Sequence, residues 1–225
     1  MVIAFDHLVI AARTLEEGVR WCEDTLGVTP GPGGVHALMS THNRLFNVAS
    51  EVFPNAYFEI VAIDPDAPPP GRARWFSLDS ADLRGGPRLM TFVARTSALD
   101  TTLAALRDVG FDGGRALAAS RDTPSGVLRW RIAVRDDGAL LCGGAMPTLI
   151  EWGARHPAAS MAASGVVLRS LRLRGVPAAA LDLTRVAFDN TPGPALEAHL
   201  DTPRGAVTLL SQTPQQGIHA SPDLR

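Results

Sequence analysis

The sequence of 225 residues is long enough to bury a substantial hydrophobic core. Its formal net charge of −2 and pI near 6.3 argue against a dedicated nucleic-acid or anionic-membrane surface, and no apolar run approaches the roughly 20 residues of a membrane helix. All 21 basic residues are arginine, which excludes a lysine Schiff base and a phosphate-binding Walker lysine. Two cysteines supply no disulfide framework and favour a reducing compartment, so we expect a cytoplasmic protein.

The first sixty residues follow the order strand, helix and three strands. "FDHLVIAA" predicts the first strand, and "TLEEGVRWCEDTLG" predicts a helix with Thr14 and Glu17 spaced as a capping box. Gly27 marks the end of this helix. The runs "VHALMST", "RLFNVAS" and "AYFEIVAID" then alternate as strands do. The segment therefore predicts a βαβββ module.

The same order recurs after a linker rich in proline and glycine. "PRLMTFVAR" predicts a strand, "TSALDTTLAALRDVG" predicts a helix, and three further strands follow in "RALAASR", "VLRWRIAVR" and "PTLIEWG". The two units are offset by about 85 residues, and such internal duplication decides the fold class. We expect an α+β protein in which two paired βαβββ modules, residues 1–153, form one domain.

A third segment, residues 164–212, predicts a smaller β-rich half-module of the βαββ type. "VVLRSLRLRG" alternates strictly, "PAAALDLTRVA" predicts a short helix, and "TPRG" predicts the turn of a hairpin. A strand over 166–174 would be able to pair across a homodimer if it lies at a sheet edge. We expect residues 213–225 to form a flexible tail.

Two acidic residues and one histidine occupy repeat-related positions in the middle of predicted strands. Superposing the modules places Thr91 opposite His7 and Glu151 opposite Glu59. A carboxylate in an apolar strand is costly unless it is paired or binds a metal. Two readings stay open: His7 is a satisfied core histidine and the glutamates pair with arginines such as Arg131, or the three side chains converge on one site.

This pattern resembles the vicinal oxygen chelate superfamily, and more narrowly its glyoxalase-like branch. The residues that carry the resemblance are the His of the first strand, the Glu of the fourth, and a G-x-H-x-x-x-G-T-x-N motif represented here by Gly34, His36, Ser40, Thr41 and Asn43, with Ser40 in place of the second glycine. The runs "RWFSLD", "LIEWG" and "TPRGAVTLL" are also similar, so the resemblance spans roughly residues 3 to 211.

The resemblance implies a cup-shaped, eight-stranded mixed sheet with a divalent metal on its floor, bound by the first and fourth strands of each module. Carried over residue by residue, the metal ligands are His7, Glu59 and Glu151, with Thr91 where a second histidine would stand. One imidazole and two carboxylates suit Mn²⁺, Fe²⁺, Mg²⁺ or Zn²⁺. Because threonine is a poor ligand, a site without any metal stays open as the alternative.

The remaining candidate residues are assigned to the substrate. His36 and Asn43 are expected to face the cavity, where His36 would hydrogen-bond an oxyanion or move a proton. Trp75 and Phe76 would close the mouth of the cup, and Thr91 would line its floor. The alternative is that His42 and Asn43 only form a turn and that the two aromatic residues are a hydrophobic plug.

Two function classes follow. The leading one is a metal-dependent isomerase or lyase acting on a small carbonyl or vicinal-oxygen compound, with Glu59, Glu151 or His36 transferring the proton. The alternative is a metal-free protein of the same fold that binds and sequesters a small apolar molecule.

Overall fold

The structure, a computed structural model, describes residues 3–124, 126–181, 183 and 185–211. The first module contains one helix and four strands: β1 (Ala4–Ala11), α1 (Leu15–Thr25), β2 (Gly31–His36), β3 (Thr41–Asn47) and β4 (Tyr57–Ile63). The second module repeats this order: β5 (Arg88–Arg95), α2 (Leu99–Asp108), β6 (Arg115–Arg121), β7 (Leu128–Val134) and β8 (Thr148–Trp152). The predicted duplication of the βαβββ unit is confirmed.

The eight strands form one mixed sheet in the order β2-β3-β4-β1-β5-β8-β7-β6. β1 and β5 run antiparallel at its centre, while β1 pairs with β4, and β5 with β8, in parallel. The sheet is therefore two four-stranded halves joined along β1 and β5, as expected for the α+β fold.

The helix α1 begins where the sequence predicts it. The Thr14 hydroxyl accepts a hydrogen bond from the Glu17 backbone N–H at 3.1 Å, as an N-cap does. The Glu17 carboxylate accepts one from the Arg13 backbone N–H at 3.0 Å, so the capping interaction is shifted by one residue.

Each face of the sheet carries its own hydrophobic core. Leu8, Ile10 and Phe58 face outward and pack under α1, α2 and the C-terminal strands. Val9 and Val93 belong to the inner cluster on the concave side, which we call the inner face. The alternation of side chains along each strand separates the two cores, and the inner face is where a site has to lie.

The C-terminal segment forms a separate four-stranded sheet in the order β10-β9-β11-β12. Its strands are β9 (Val167–Arg174), β10 (Ala187–Asp189), β11 (Leu196–Thr202) and β12 (Gly205–Leu210). The predicted helix is only a 3₁₀ turn at Ala178–Ala180. β9 is covered by β10 and β11, so the expectation that residues 166–174 form an edge strand is wrong, while a homodimer stays a prediction. The predicted tail, 213–225, lies outside the described residues.

One strand of the first module is shorter than predicted. "VHALMST" reads as a continuous strand, but β2 ends at His36 and the chain turns over residues 37–40, with Ser40 at a φ of 51°. Thr41, His42 and Asn43 therefore begin β3 and do not form the turn. Within the described ranges, no helix is both long and apolar enough to cross a bilayer.

Candidate functional site

His7 lies on the inner face between two carboxylates. Its Nδ1 is 2.7 Å from Oδ1 of Asp6, and its Nε2 is 3.3 Å from Oε2 of Glu59. The imidazole also stacks on the ring of Tyr57, with ring centroids 4.3 Å apart. His7, Asp6 and Glu59 are all buried. β1 and β4 thus bring the two module-one residues of the predicted ligand set into contact.

These contacts change the protonation of the cluster. Burial alone would lower the pKa of His7, but the hydrogen bonds to Asp6 and Glu59 outweigh it and raise the pKa to about 9. Burial would raise the pKa of Glu59, yet His7 and Asn43 hold it at about 2. Asp6 is likewise held well below its usual pKa by His156 and His7 against the effect of burial. The cluster is a buried imidazolium flanked by two carboxylates.

Asp6 reaches this site because β1 contains a bulge. Phe5 pairs with Ala94 and His7 with Val93, which leaves Asp6 as an extra residue between two successive pairs. Strict alternation would put Phe5 and His7 on one face, but Phe5 lies in the outer core. The Asp6 carboxylate also accepts hydrogen bonds from Trp152 Nε1 at 3.0 Å and His156 Nε2 at 2.9 Å.

The motif histidine and asparagine lie beside Glu59. Nδ2 of Asn43 donates to Oε1 of Glu59 at 2.6 Å and lies 3.2 Å from Nε2 of His36. The orientation of the Asn43 amide follows from its other end, where Oδ1 accepts from the Gly34 N–H at 2.8 Å and from Arg121 Nη1 at 3.1 Å. His36 Nε2 is therefore an acceptor.

His36 is consequently a neutral imidazole with its proton on Nδ1. That nitrogen lies 3.0 Å from the hydroxyl of Thr41, to which it donates. Burial lowers the pKa of His36 to about 4, and the nearby Arg121 guanidinium and His7 act in the same direction against Glu59. Two histidines of opposite charge, His7 and His36, thus lie on either side of Glu59.

The backbone of β2 approaches β3 closely enough to require glycine. A Cβ on Gly33 would lie 2.1 Å from the carbonyl oxygen of Asn43 and 2.2 Å from its side-chain Oδ1. The register between β2 and β3 shifts at this point, between Pro32 and Val35. The close approach lets the Gly34 N–H reach the Asn43 side chain, so Gly33 and the motif residue Gly34 together orient the amide.

These residues line one cavity on the inner face. Its walls are mostly apolar, and they come from both modules: Leu45, Leu128, Trp130, Ile132, Ile150 and Trp152. Trp75 and Phe76 cover it and are themselves 5% and 3% exposed, with Phe76 in a left-handed conformation at a φ of 57°. The empty volume of the cavity, counted out to open solvent, is about 390 Å³.

Glu151 is not part of this arrangement, which corrects the prediction. Ile150 and Trp152 line the cavity, so the residue between them points to the opposite face. There the Glu151 carboxylate pairs with Arg131 at 3.0 Å, and Arg131 also binds Asp100 of α2 at 2.8 Å. This ion pair was the alternative reading of Glu151 in the sequence.

The strand register shows which residue does correspond to Glu59. Leu8 pairs with Phe92 on the pseudo-twofold axis, an offset of 92 − 8 = 84 residues, which makes Val93 the equivalent of Val9. Val9 pairs with Glu59 in the first module, and Val93 pairs with Thr148 in the second. Thr148, three residues before Glu151, therefore occupies the position of Glu59.

Thr91 does occupy the position equivalent to His7, because 91 − 7 is the same 84 residues found for Leu8 and Phe92. Its buried hydroxyl donates to the carbonyl of Gly144 at 2.9 Å. Thr91 thus anchors the loop before β8, and the substrate contact expected of it stays a prediction.

The predicted three-ligand metal set does not fit this geometry. The first module offers His7 and Glu59, and Asp6 on Nδ1 of His7 is the kind of partner that orients a metal-binding imidazole. The second module offers threonines, Thr91 and Thr148, at the related positions. Within the described part of the chain, no group of three or more His, Cys, Asp or Glu side chains is arranged to hold a metal ion.

Several residues of the site were not found from the sequence. Asp6 and Tyr57 adjoin predicted residues, and the "DH" pair of β1 was a usable signal for Asp6. His156 and Arg121 carry none, because they reach the site from a loop and from the far end of β6.

Comparisons with known proteins agree with this architecture. The sequence model described as a glyoxalase-like domain matches residues 5–201. No curated protein sequence matches the chain significantly. The solved structure of a hypothetical protein from Staphylococcus aureus superposes with a TM-score of 0.60 at 12% identity, covering 94% of this chain and 89% of that one.

Two methylmalonyl-CoA epimerases are also similar, over about two thirds of this chain. The enzyme from Streptomyces coelicolor, in complex with 2-nitronate-propionyl-CoA, has a TM-score of 0.43 at 19% identity and covers 68% of this chain and 96% of that one. The enzyme from Mycobacterium tuberculosis has a TM-score of 0.40 at 19% identity, with coverages of 69% and 91%.

Proposed function

Because the chain belongs to the glyoxalase-like domain family of the vicinal oxygen chelate superfamily, we propose that it is an enzyme of isomerase or lyase type that moves a proton on a small carbonyl compound. The observation that carries this proposal is the convergence of His7, His36, Asn43 and Glu59 in one largely apolar cavity. Apolar pockets with a few convergent polar groups and perturbed pKa values are typical of catalytic sites.

The protonation states assign roles to the two histidines. His36 is neutral across the neutral pH range, since its pKa is lowered to about 4 by burial, so it is available to accept a proton from a carbon next to a carbonyl. Nδ1 carries the proton that is donated to Thr41, so the lone pair of His36 is on Nε2, which accepts from Asn43. Nε2 takes the proton when the substrate replaces the Asn43 contact, and the electron pair of the broken C–H bond moves to the carbonyl oxygen to give an enolate. The cationic His7 directs one ring N–H to Asp6 and the other to Glu59, so its role is to hold Glu59 in place beside Asn43.

The proton transfer is assigned to side chains, because the described residues of the second module place threonines, not acidic residues, at the positions related to His7 and Glu59. His7 and Glu59 are the residues that would bind a divalent ion if one is used, and Glu151 has no role in this proposal. A metal ion in this site would therefore have two of the three predicted ligands, His7 and Glu59.

The test is hydrogen–deuterium exchange at carbon. The protein is incubated in D₂O with 4-methyl-2-oxopentanoate or with the neutral hydroxyketone 3-hydroxy-2-butanone, and loss of the exchangeable C–H signal is followed by ¹H NMR. We expect catalysed exchange that falls about 100-fold or more in His36→Gln, within the range general bases contribute. The matched control is His42→Gln, which changes the histidine next to Asn43 in β3 and should keep the activity.

Equal exchange rates in His36→Gln and the wild type would exclude His36 as the base. Repeating the assay with chelator and then with added Mn²⁺ tests the metal: activity that needs Mn²⁺ and is lost in Glu59→Gln would support a two-ligand site.

A metal-free binding protein is the second candidate function. The threonines at positions 91 and 148 favour it, because threonine is a poor metal ligand and these positions correspond to His7 and Glu59. Binding of either compound without exchange, with or without Mn²⁺, would support this candidate and overturn the enzyme.

A further inference from the structure

Two hydrogen-bond donors in the cavity have no acceptor. The Nε1 atom of Trp75 and the Nε atom of Arg121 are both buried, and neither finds a partner among the described residues. Both residues line the cavity that contains His36 and Glu59. Buried donors are almost always paired in native proteins, and an indole and a guanidinium can only donate. Of the six buried side-chain atoms without a partner among the described residues, these two belong to residues of this cavity, and a ligand with an acceptor group there would satisfy them.

The guanidinium of Arg121 also lacks a carboxylate in direct contact with it among the described residues. Nη1 of Arg121 donates to the neutral amide oxygen of Asn43 at 3.1 Å, and no carboxylate of the described residues forms an ion pair with this guanidinium. Most other arginines near acidic groups are paired, as Arg131 is with Glu151. A guanidinium binds a carboxylate more strongly than a neutral acceptor, through parallel N–H bonds, so an anion is the acceptor that suits Arg121 best.

The fold makes room for Arg121 in this place. The residue is the last of β6 in the second module, and it crosses the cup to reach β2 and β3 of the first. Gly34 permits the crossing, because a Cβ there would lie 2.8 Å from Nη1 of Arg121. The missing side chain at Gly34 thus leaves room for the Arg121 guanidinium inside the cup.

We propose that the substrate carries a carboxylate, bound by the guanidinium of Arg121 and the indole N–H of Trp75, with an apolar body against Trp130 and Ile132. The inference rests on the proposed function, since it names the substrate class of the same cavity. Asn43 contacts both Arg121 and His36, so the carboxylate lies close to the carbon from which the proton is taken. A 2-oxo acid has these two groups on adjacent carbons.

The test is calorimetric titration of the full chain with 4-methyl-2-oxopentanoate and with its methyl ester, which has the same body without the charge. We expect the acid to bind more tightly, and Arg121→Gln to weaken the acid roughly 10- to 100-fold while leaving the ester unchanged. Trp75→Phe removes one donor and should weaken the acid less. Arg129→Gln, at an exposed arginine of β7, is the charge-matched control and should bind both compounds as the wild type does.

Equal affinities for acid and ester, or an equal loss of both in Arg121→Gln, would overturn the proposal. Arg121→Lys, which keeps the charge but not the planar fork, should show intermediate affinity for the acid and checks that a loss is not due to misfolding. Isopentyl phosphate is the third ligand: tighter, Arg121-dependent binding of this compound would replace the carboxylate by a phosphate.

These results are separable from those of the exchange assay. Arg121-dependent binding of the acid without exchange would sustain the carboxylate site and overturn the enzyme. Catalysed exchange on 3-hydroxy-2-butanone by a protein that binds the acid no more tightly than the ester would sustain the enzyme and overturn the carboxylate site.

Discussion

The Nε2 atom of His7 lies 3.3 Å from the carboxylate of Glu59, on the inner face of a sheet whose two halves are related by a pseudo-twofold axis. The axis repeats the strands but not these side chains, since Thr91 and Thr148 occupy the related positions. The site is consequently built from one module, while the other contributes the apolar wall and Arg121. This asymmetry places the candidate site to one side of the pseudo-twofold axis.

The threonine at position 148 gives a direct test of the register. Thr148→Glu places a carboxylate where the second module has none, and we expect it to raise the affinity for Mn²⁺ by about tenfold or more, because hard divalent ions prefer additional carboxylate oxygens. The measurement is calorimetric titration with Mn²⁺.

Two variants control this experiment. Thr148→Gln has the same size without the charge and should bind Mn²⁺ no better than the wild type. Glu151→Gln should leave the affinity unchanged, because that side chain is paired with Arg131 on the other face. A loss of Mn²⁺ binding in Glu151→Gln would contradict the register given above.

The buried carboxylate of Asp6 is expected to be important for stability. It accepts hydrogen bonds from His7, Trp152 and His156 within 3.0 Å. Asp6→Asn turns one acceptor into a donor and leaves the imidazolium with half of its counter-charge. We expect the free energy of unfolding to fall by about 3–5 kcal/mol, the cost of breaking a buried pair.

Urea denaturation measures this difference. Asp82→Asn is the control, because Asp82 forms its ion pair with Arg84 at the surface, where such pairs contribute about 1 kcal/mol or less. A similar decrease in the free energy of unfolding in the two variants would show that the contacts of Asp6 stabilise the protein no more than a surface ion pair does.

The pH dependence of stability follows from the same cluster. The pKa of His7 is raised from 6.5 to about 9 by Asp6 and Glu59, so the folded protein holds this proton more tightly than the unfolded chain. The contribution is complete below pH 6.5 and is lost as the pH rises through 9. In chelator-treated protein we expect the free energy of unfolding to decrease by about 3 kcal/mol across that window.

Comparison with Asp6→Asn isolates this contribution from the other groups that titrate at alkaline pH. The variant lacks the first of the two partners that raise the pKa of His7, so its stability should depend less on pH between 6.5 and 9. Parallel curves for the two proteins would argue against a protonated His7.

The sequence predicts those parts of the site that depend on local pattern. His7, Glu59, His36 and Asn43 were found because strand alternation and the motif spacing are properties of neighbouring residues. Glu151 was misplaced because the register between distant strands is not local. Val9 and Glu59 are 59 − 9 = 50 residues apart, whereas Val93 and Thr148 are 148 − 93 = 55 apart.

The chain between the paired strands is longer in the second module, so Glu151 lies three positions beyond Thr148, the true equivalent of Glu59. A shift by an odd number of residues places the side chain on the opposite face of the sheet. Arg121 was missed for another reason. The role proposed for it depends on its lacking an acidic partner among the described residues, and a missing contact leaves no pattern in the sequence. Asp6 was missed because a β-bulge cannot be seen in alternating residues alone.

Gly33 provides the last test, because it links the backbone of β2 to the orientation of Asn43. In Gly33→Ala the new methyl group would meet the carbonyl and side-chain oxygens of Asn43 within 2.2 Å, and these are parts of a paired strand that cannot move away freely. We expect destabilisation of about 2 kcal/mol or more, as in other overpacked sites, together with loss of ligand binding since the Asn43 amide turns away from His36.

Gly85→Ala, where a Cβ meets nothing within 4 Å, should change neither property. Denaturation and the titration with 4-methyl-2-oxopentanoate measure the two effects. Full binding in Gly33→Ala would mean that Asn43 is held by its contact with Glu59 alone.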